Sequence, residues 1–331
     1  MKILYVDLLY DYGIKSRGIN AIGQDGFKKS FERLGHQVST FYYDDYLKDI
    51  PALQTAVREC ADSIKPDLIF FCLFRDQFSI ATLQYLKSKY TTINWFGDDQ
   101  WRFKSFTRVY APCFSWCVTT DKFSIPKYHR IGQSNVIYSQ WAAINEHEVP
   151  PEAKSYTHEV SFVGGYHPYR KWFINQLAGQ GIKVSAFGHG WPQGALSSQQ
   201  MSELFACSKI NLNISNSTSF SFGYLFSSLR AFLTALKSRK ASSQIKARNF
   251  EIPFFGGFQL TDYVPTLENY LQIGSEVCCY SSVEEAALQI RYYLEQENDK
   301  EREAIKVAGH QRALQQHGYI HRIEQVIRAL S

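Results

Sequence analysis

The chain has 331 residues, 45% of them apolar and 15% aromatic, with a net charge of +5. That length is about twice a typical domain, the apolar share excludes wholesale disorder, and so modest a charge does not by itself call for nucleic acid as a partner. The seven cysteines are odd in number, form no CxxC pair and include the adjacent Cys278 and Cys279, so reduced thiols of a cytoplasmic protein are the economical reading.

The amino-terminal KILYVDLLY is too short, and too soon followed by Asp and Gly, to be a signal peptide or membrane span. It reads as a buried first strand. Apolar β-rich runs follow near 37–43, 67–74, 91–97, 113–119 and 135–141, with helical periodicity at 22–34, 51–64 and 79–89. The loop DYGIKSRGINAIGQDG after the first strand is rich in glycine but lacks GxGxxG, which speaks against a dinucleotide fingerprint. TTINWFGDDQWRF sets Asp98 and Asp99 just past another buried strand. A carboxylate there can take a proton from an acceptor hydroxyl. Capping of a short helix by one aspartate, with the other pairing to Arg102, is the structural alternative. The adjacent pair is not a DxD metal motif, and Trp95 and Trp101 read first as core rings.

EHEVPPEAKSYTHE, residues 146–159, is polar, lacks periodicity and reads as a linker. Beyond it the pattern repeats, with strands near 159–164, 183–188, 209–214, 257–261 and 276–280 and helices near 168–179, 197–207 and 244–255. Ser281-Ser282-Val283-Glu284 suggests a capping box, and two more helices close the chain. The expected fold class is therefore α/β: two doubly wound parallel sheets, residues 1–150 and 151–317, with a last helix at 318–331 returning to the first unit. Ligands of such sheets sit beyond the carboxyl ends of the strands. His36 and His189 read as turn residues, and no His/Cys cluster has zinc spacing.

Two stretches of the second half carry charge. Between Glu203 and Glu251 there is no acid, while Lys209, Arg230, Lys237, Arg239, Lys240, Lys246 and Arg248 are all basic. Within 219–241 apolar residues recur at helical spacing, which leaves open an inserted helix packed on its domain or a peripheral contact with an anionic membrane. In KARNFEIPFFGGFQLTDYV, 246–264, Glu251 offers two acceptor oxygens to the paired hydroxyls of a ribose, with Lys246 and Arg248 near enough in sequence to answer phosphate. A surface ion pair is the competing reading.

Residues 245–295, together with INWFGDDQWRF, VSFVGGYHPYRKWFINQL, FGHGWPQG and KINLNIS, resemble the family-1-like glycosyltransferases, in the branch of the spore-maturation protein CgeB. The resemblance implies a GT-B architecture of two facing Rossmann-like domains, with a nucleotide-diphosphate sugar held mainly by the second. It implies transfer to a hydroxyl of a glycan, lipid-linked or protein acceptor in surface glycan or polysaccharide synthesis, in the cytoplasm or at the inner face of the membrane, with no metal and no cofactor besides the donor. Donor-binding residues would be Gly164, Gly165, Lys246, Arg248, Glu251, Gly256 and Gly257. Catalytic residues would be Asp98, Asp99 and Arg170, the last facing the diphosphate leaving group, with Lys171 a weaker choice. Gly13, Arg17, Gly18, Trp101 and Arg102 would lie on the acceptor side. Many related retaining enzymes carry two glutamates eight positions apart. Glu251 and Gly256 match the second half of that pattern, but Ser243 stands where the first glutamate belongs. That departure keeps open a nucleotide-sugar epimerase or hydrolase on the same scaffold. A non-catalytic glycan-binding protein of surface or spore assembly is the remaining alternative.

Overall fold

A computed structural model describes residues 1–144, 155–238 and 243–330. Most of the linker expected at 146–159 therefore lies outside the described residues. The chain divides into two compact units, Met1–Glu146 with Tyr319–Ser331, and His147–Gly318.

The first unit is built on six parallel strands: β1 (Lys2–Asp7), β2 (Gln37–Tyr42), β3 (Leu68–Phe71), β4 (Thr91–Phe96), β5 (Trp116–Thr119) and β6 (Val136–Tyr138). Their order is β2-β1-β3-β4-β5-β6. Ile3, Leu4, Tyr5 and Val6 are all fully buried, so β1 has no solvent face. That is why its sequence is a continuous apolar run rather than an alternating one. The helices Ile50–Ile64 and Ile80–Lys89 start where Asp49 and Ser79 accept the amides of Ala52 and Thr82. One side of the sheet gathers Leu4, Val6, Leu53, Val57 and Phe71; the other gathers Tyr5, Phe27, Phe31, Trp95 and Tyr319.

Tyr319 opens the last helix, Tyr319–Leu330, which completes that second layer. Its ring lies 5.1 Å from that of Phe27, and its amide donates to the Ala143 carbonyl at 3.0 Å. A Cβ on Gly26 would come within 2.9 Å of the same ring, so the glycine is what admits the tyrosine. Further along the helix, Gln325 Nε2 donates to the Tyr138 carbonyl at 3.0 Å.

The second unit carries five parallel strands: β7 (His158–Val163), β8 (Ser185–Phe187), β9 (Ser208–Asn213), β10 (Gln259–Asp262) and β11 (Cys278–Tyr280). Their order is β11-β10-β9-β7-β8. Counted within each unit, the sheets run 2-1-3-4-5-6 and 2-1-3-4-5, so both reverse their winding direction between the first and third strands. That switch point is where open α/β sheets receive ligands. The two expected parallel sheets are thus present, each strand within a few residues of its expected place. The capping box is shifted by one residue. Ser282, not Ser281, caps the helix Val283–Leu294 by accepting the Glu285 amide, and Glu285 accepts in return from Ser281 N. All seven cysteines are free thiols.

Truncating Tyr319 to Ala should lower the unfolding free energy of the first unit by roughly 3–5 kcal/mol, the usual cost of deleting a buried aromatic ring. Urea titration followed by limited proteolysis would report it. An unchanged midpoint would mean that the last helix adds nothing to that core.

Candidate functional site

In the second unit the switch point lies between the ends of β7 and β9, and one side chain ties it together. Arg170, in the first turn of the helix Pro168–Gly179, donates from Nη1 to Gly165 O at 3.0 Å and from Nη2 to Ser215 O at 3.3 Å. Its Nε reaches Ile214 O at 3.0 Å and Asn216 O at 3.2 Å. Asp262, at the end of β10, accepts the Ser215 amide at 2.8 Å and so holds the same loop from the other side. Burial, opposed by Asp262 and aided by the Arg248 cation, lowers the Arg170 pKa to about 10. The guanidinium stays charged at neutral pH and spends its donors on backbone carbonyls.

The glycines around it have separate reasons. A Cβ on Gly164 would fall 2.9 Å from the Phe162 ring and 3.1 Å from Arg170 Nη1, whereas one on Gly165 would meet nothing within 4 Å. Gly164 thus serves packing and Gly165 borders open space. Trp191 Nε1 caps the Gly164 carbonyl at 2.8 Å, and Lys171 Nζ lies 6.0 Å from the Trp191 ring.

Glu251 sits on the helix Arg248–Phe254, and its carboxylate is buried. Arg248 Nη1 lies 2.7 Å from Glu251 Oε2. The ion pair weighed from the sequence is therefore present, but in a sheltered place rather than on a solvated surface. The Lys246 amide donates to Asn249 Oδ1 at 2.9 Å, fixing the entry to this helix. Gly256 takes a left-handed φ of 72° just past the helix end, where other residues are strained. At Gly257 a Cβ would lie 2.6 Å from Asn211 Nδ2, so its role in the fold is close packing on β9. Ser243 Oγ accepts from Asn216 Nδ2 at 2.8 Å, which joins the position of the missing glutamate to the loop that Arg170 holds. Ser215, Asn216 and Asp262 were not singled out from the sequence for this site. The only sequence signal for them is polar residues at the ends of apolar runs.

The first unit has a cavity of about 230 Å³ at the carboxyl ends of β1, β3 and β4. Asp7, Asp11, Tyr12, Asn20, Asp98 and Arg102 supply its polar lining, among the rings of Phe27, Phe74, Trp95 and Trp141. Asp98 and Arg102 come together there as their sequence positions suggest. Arg102 Nη2 donates to Phe74 O at 2.9 Å. The Asp98 side chain does not cap the short helix Asp99–Arg102. Asp99 turns inward and accepts hydroxyls from Thr107 at 2.6 Å, Thr119 at 2.5 Å and Tyr128 at 2.6 Å. Burial raises its pKa to about 6 against those three donors. Trp101 is not among the cavity-lining residues. The loop after β1 reaches the cavity through Asp11 and Tyr12. Gly13 and Gly18 supply left-handed turns at φ 72° and 86°, and Arg17 pairs with Asp11 at 2.7 Å.

Asp7 is the residue that sequence reading passed over. It ends β1 and accepts the Leu8 amide at 2.7 Å on Oδ1, with Tyr5 OH at 2.5 Å and Asn20 Nδ2 at 3.1 Å on Oδ2. A Cβ on Gly23 would lie 2.4 Å from Oδ2, so the carboxylate needs that glycine. Burial pushes its pKa up to about 7; the three donors oppose that shift and the Asp44 charge adds to it. Among the described residues no three His, Cys, Asp or Glu side chains gather as a metal site.

This architecture is that of the GT-B proteins. Residues 170–328 match the family model described as glycosyl transferase-like, which bears out the likeness to family-1-like glycosyltransferases without marking the CgeB branch. No curated protein sequence matches the chain significantly. Among solved structures, Anabaena Alr3699/HepE in complex with UDP-glucose is similar over 100% of this chain and 99% of its own, with a TM-score of 0.61 at 13% identity. A glycosyltransferase from Rickettsia africae superposes with a TM-score of 0.63 at 10% identity, covering 100% and 98% of the two chains. Sucrose-phosphate synthase from Thermosynechococcus elongatus gives 0.62 at 10% identity, covering 100% and 99%. At such identities the likeness is one of fold.

The raised pKa of Asp7 has a defined consequence for stability. Between an ordinary aspartate pKa near 4 and about 7, the folded chain holds a proton that the unfolded chain has lost, so stability falls as pH rises through that window. The slope from this group is about 1.4 kcal/mol per pH unit. Denaturant titrations from pH 4 to pH 8 should show Asp7→Asn with a shallower fall than the wild type, leaving the part due to the other carboxyls that burial raises, Asp99 and Asp262. Parallel profiles would mean that Asp7 is not held protonated.

Proposed function

We propose that the protein is a glycosyltransferase whose second unit binds a nucleotide-diphosphate sugar and whose product is a glycosylated hydroxyl. The observation that carries this reading is the switch-point assembly of the second unit. Gly165 fronts open space beside loops held by a half-buried Arg170, and the Arg248–Glu251 pair lies on the helix leading to β10. The glycosyl transferase-like match begins at Arg170 and spans all the residues of that assembly after it. HepE, of like fold, binds UDP-glucose, which supports a nucleotide-sugar as the ligand class.

In this reading Glu251 takes the ribose hydroxyls, its orientation fixed by Arg248. Lys246 and Arg248 bring positive charge to the diphosphate, and the backbone at Gly164–Gly165 and Gly256–Gly257 leaves room beside it. Arg170 contributes to leaving-group stabilisation as a fixed, half-buried charge behind the loop. Preorganised charge of this kind favours the transition state without reorganising. On the acceptor side, Asp98 faces the cavity and is the better-placed of the two expected aspartates to receive the hydroxyl proton. Asp7 is a second carboxylate in the same cavity, and a group titrating near 7 suits general-base work at neutral pH. Asp99 then serves by holding the cavity wall. Arg102, its neighbour Trp101 and the loop bearing Gly13, Arg17 and Gly18 would shape acceptor entry. The acceptor is a glycan, a lipid-linked sugar or a protein hydroxyl, in surface glycan or polysaccharide synthesis. Reduced cysteines make the cytoplasm its place.

A thermal-shift screen against UDP-, GDP-, ADP-, CMP- and TDP-sugars tests this directly, because a ligand that binds only the folded state raises the melting temperature by mass action. One nucleotide class should stabilise the protein, and Glu251→Ala should abolish most of that shift, a loss of about 1.5–3 kcal/mol for hydrogen bonds to a charged group. A full shift in the mutant removes the ribose assignment. Donor consumption without any acceptor would favour the epimerase or hydrolase. A failure of every nucleotide sugar to bind would favour the glycan-binding protein.

In the same assay Arg170→Lys should weaken donor binding even though charge is kept, because an ammonium cannot reproduce the planar set of bonds to four carbonyls. Loss of order at 164–166 and 214–216 by hydrogen exchange should accompany it. A mutant with unaltered exchange and affinity would strip Arg170 of this task.

A further inference from the structure

The basic stretch of the second unit folds as two short helices, Phe222–Leu225 and Leu229–Lys237, and their packing is inverted. Tyr224, Ala231 and Ala235 face the domain, with Tyr224 packed 5.2 Å from Tyr169 and 5.7 Å from Trp172 between ring centroids. The large apolar side chains point outward: Phe222 is 79% exposed, Phe226 78%, Leu229 75%, Leu236 66%, Leu233 44% and Phe232 42%. A helix that merely covers a domain buries its leucines and phenylalanines and shows its small or polar residues to water. Here alanine lies inside and leucine outside. Leu229, Phe232, Leu233 and Leu236 fall at i, i+3, i+4 and i+7 and so form one continuous face. The stacked rings of Phe222 and Phe226, 6.1 Å apart, add to the same exposed apolar region.

Charge selects the occupant. Arg230 and Lys237, seven residues apart and both exposed, run along one edge of that face. The sequence adds Arg239 and Lys240 just beyond, and no acid occurs between Glu203 and Glu251. A second copy seated by twofold symmetry would set these cations against their own kind, with no acid in the stretch itself to pair them. A bilayer bearing anionic headgroups satisfies both halves of the pattern, the cationic edge at the headgroups and the rings and leucines at the acyl boundary. We propose that Phe222–Lys237 is a peripheral anchor that docks the second unit on an anionic lipid surface. Among the described residues no helix is long and apolar enough to cross a membrane, so this contact lies along the interface. The inference stands apart from the transfer reading, since it requires no turnover.

Vesicle co-flotation of the full chain tests it. Binding to mixed phosphatidylglycerol–phosphatidylcholine vesicles should exceed binding to phosphatidylcholine alone by about tenfold or more and should weaken at high salt. The variant carrying Leu229→Ser, Phe232→Ser, Leu233→Ser and Leu236→Ser alters only exposed positions and should lose flotation on both vesicle types. Arg230→Glu with Lys237→Glu should lose only the preference for the anionic mixture, and it carries the test if the serine variant fails to fold. Absence of wild-type flotation overturns the proposal, as does flotation unchanged in the variants. A concentration-dependent dimer in sedimentation velocity that the serine variant dissolves, without vesicle binding by the wild type, would assign the face to a second copy instead.

Discussion

The second unit depends on a half-buried cation. Arg170 is partly withdrawn from water and compensated by carbonyl oxygens of two loops that leave different strands. A guanidinium suits this because its donors are planar and fixed, so four acceptors must come to it in one geometry. Removing those acceptors would leave a partly desolvated charge without its partners. The loops are therefore ordered by the arginine as much as by their own turns. Gly188 shows how tight the assembly is, since a Cβ there would fall 2.3 Å from the Gly164 carbonyl.

The first unit has the same winding order and the opposite solution. At its own switch point it places a carboxylate, Asp7, held by an amide, a phenol and a carboxamide. Donors converge on this carboxyl just as acceptors converge on the guanidinium. The two sheets thus share a topology and differ in the sign of the charge built into the crevice. A resident positive charge favours an anionic ligand such as a diphosphate. A resident carboxyl near its titration point favours a neutral, hydroxylated one.

The fold was legible because parallel strands buried on both faces announce themselves as unbroken apolar runs. β1 and β3 are of this kind, and Gly256 stood where a helix end needs a left-handed residue. Charge pairing within one helix turn, Arg248 with Glu251, was also within reach of spacing rules. Asp7 was not, because its donors come from Tyr5 on its own strand and Asn20 beyond a loop, and an aspartate closing a strand looks the same whether buried or wet. Asp99 is the complementary case. Its position beside Asp98 suggested a candidate base past the strand, while hydroxyls 8, 20 and 29 residues away draw it inward. Periodicity could reveal the outer stripe of Leu229–Lys237, but only the pairing of Ala231 and Ala235 with the domain shows which way the stripe faces.

The return of Tyr319–Leu330 to the first unit governs how the protein is made. During synthesis the amino-terminal sheet emerges from the ribosome with Phe27 and Phe31 uncovered, and the helix that shields them is translated only after the whole of the other unit. Domains that close early fold as they emerge. This one must wait as an open sandwich, so a stalled or prematurely terminated nascent chain would display a greasy layer for chaperones to hold.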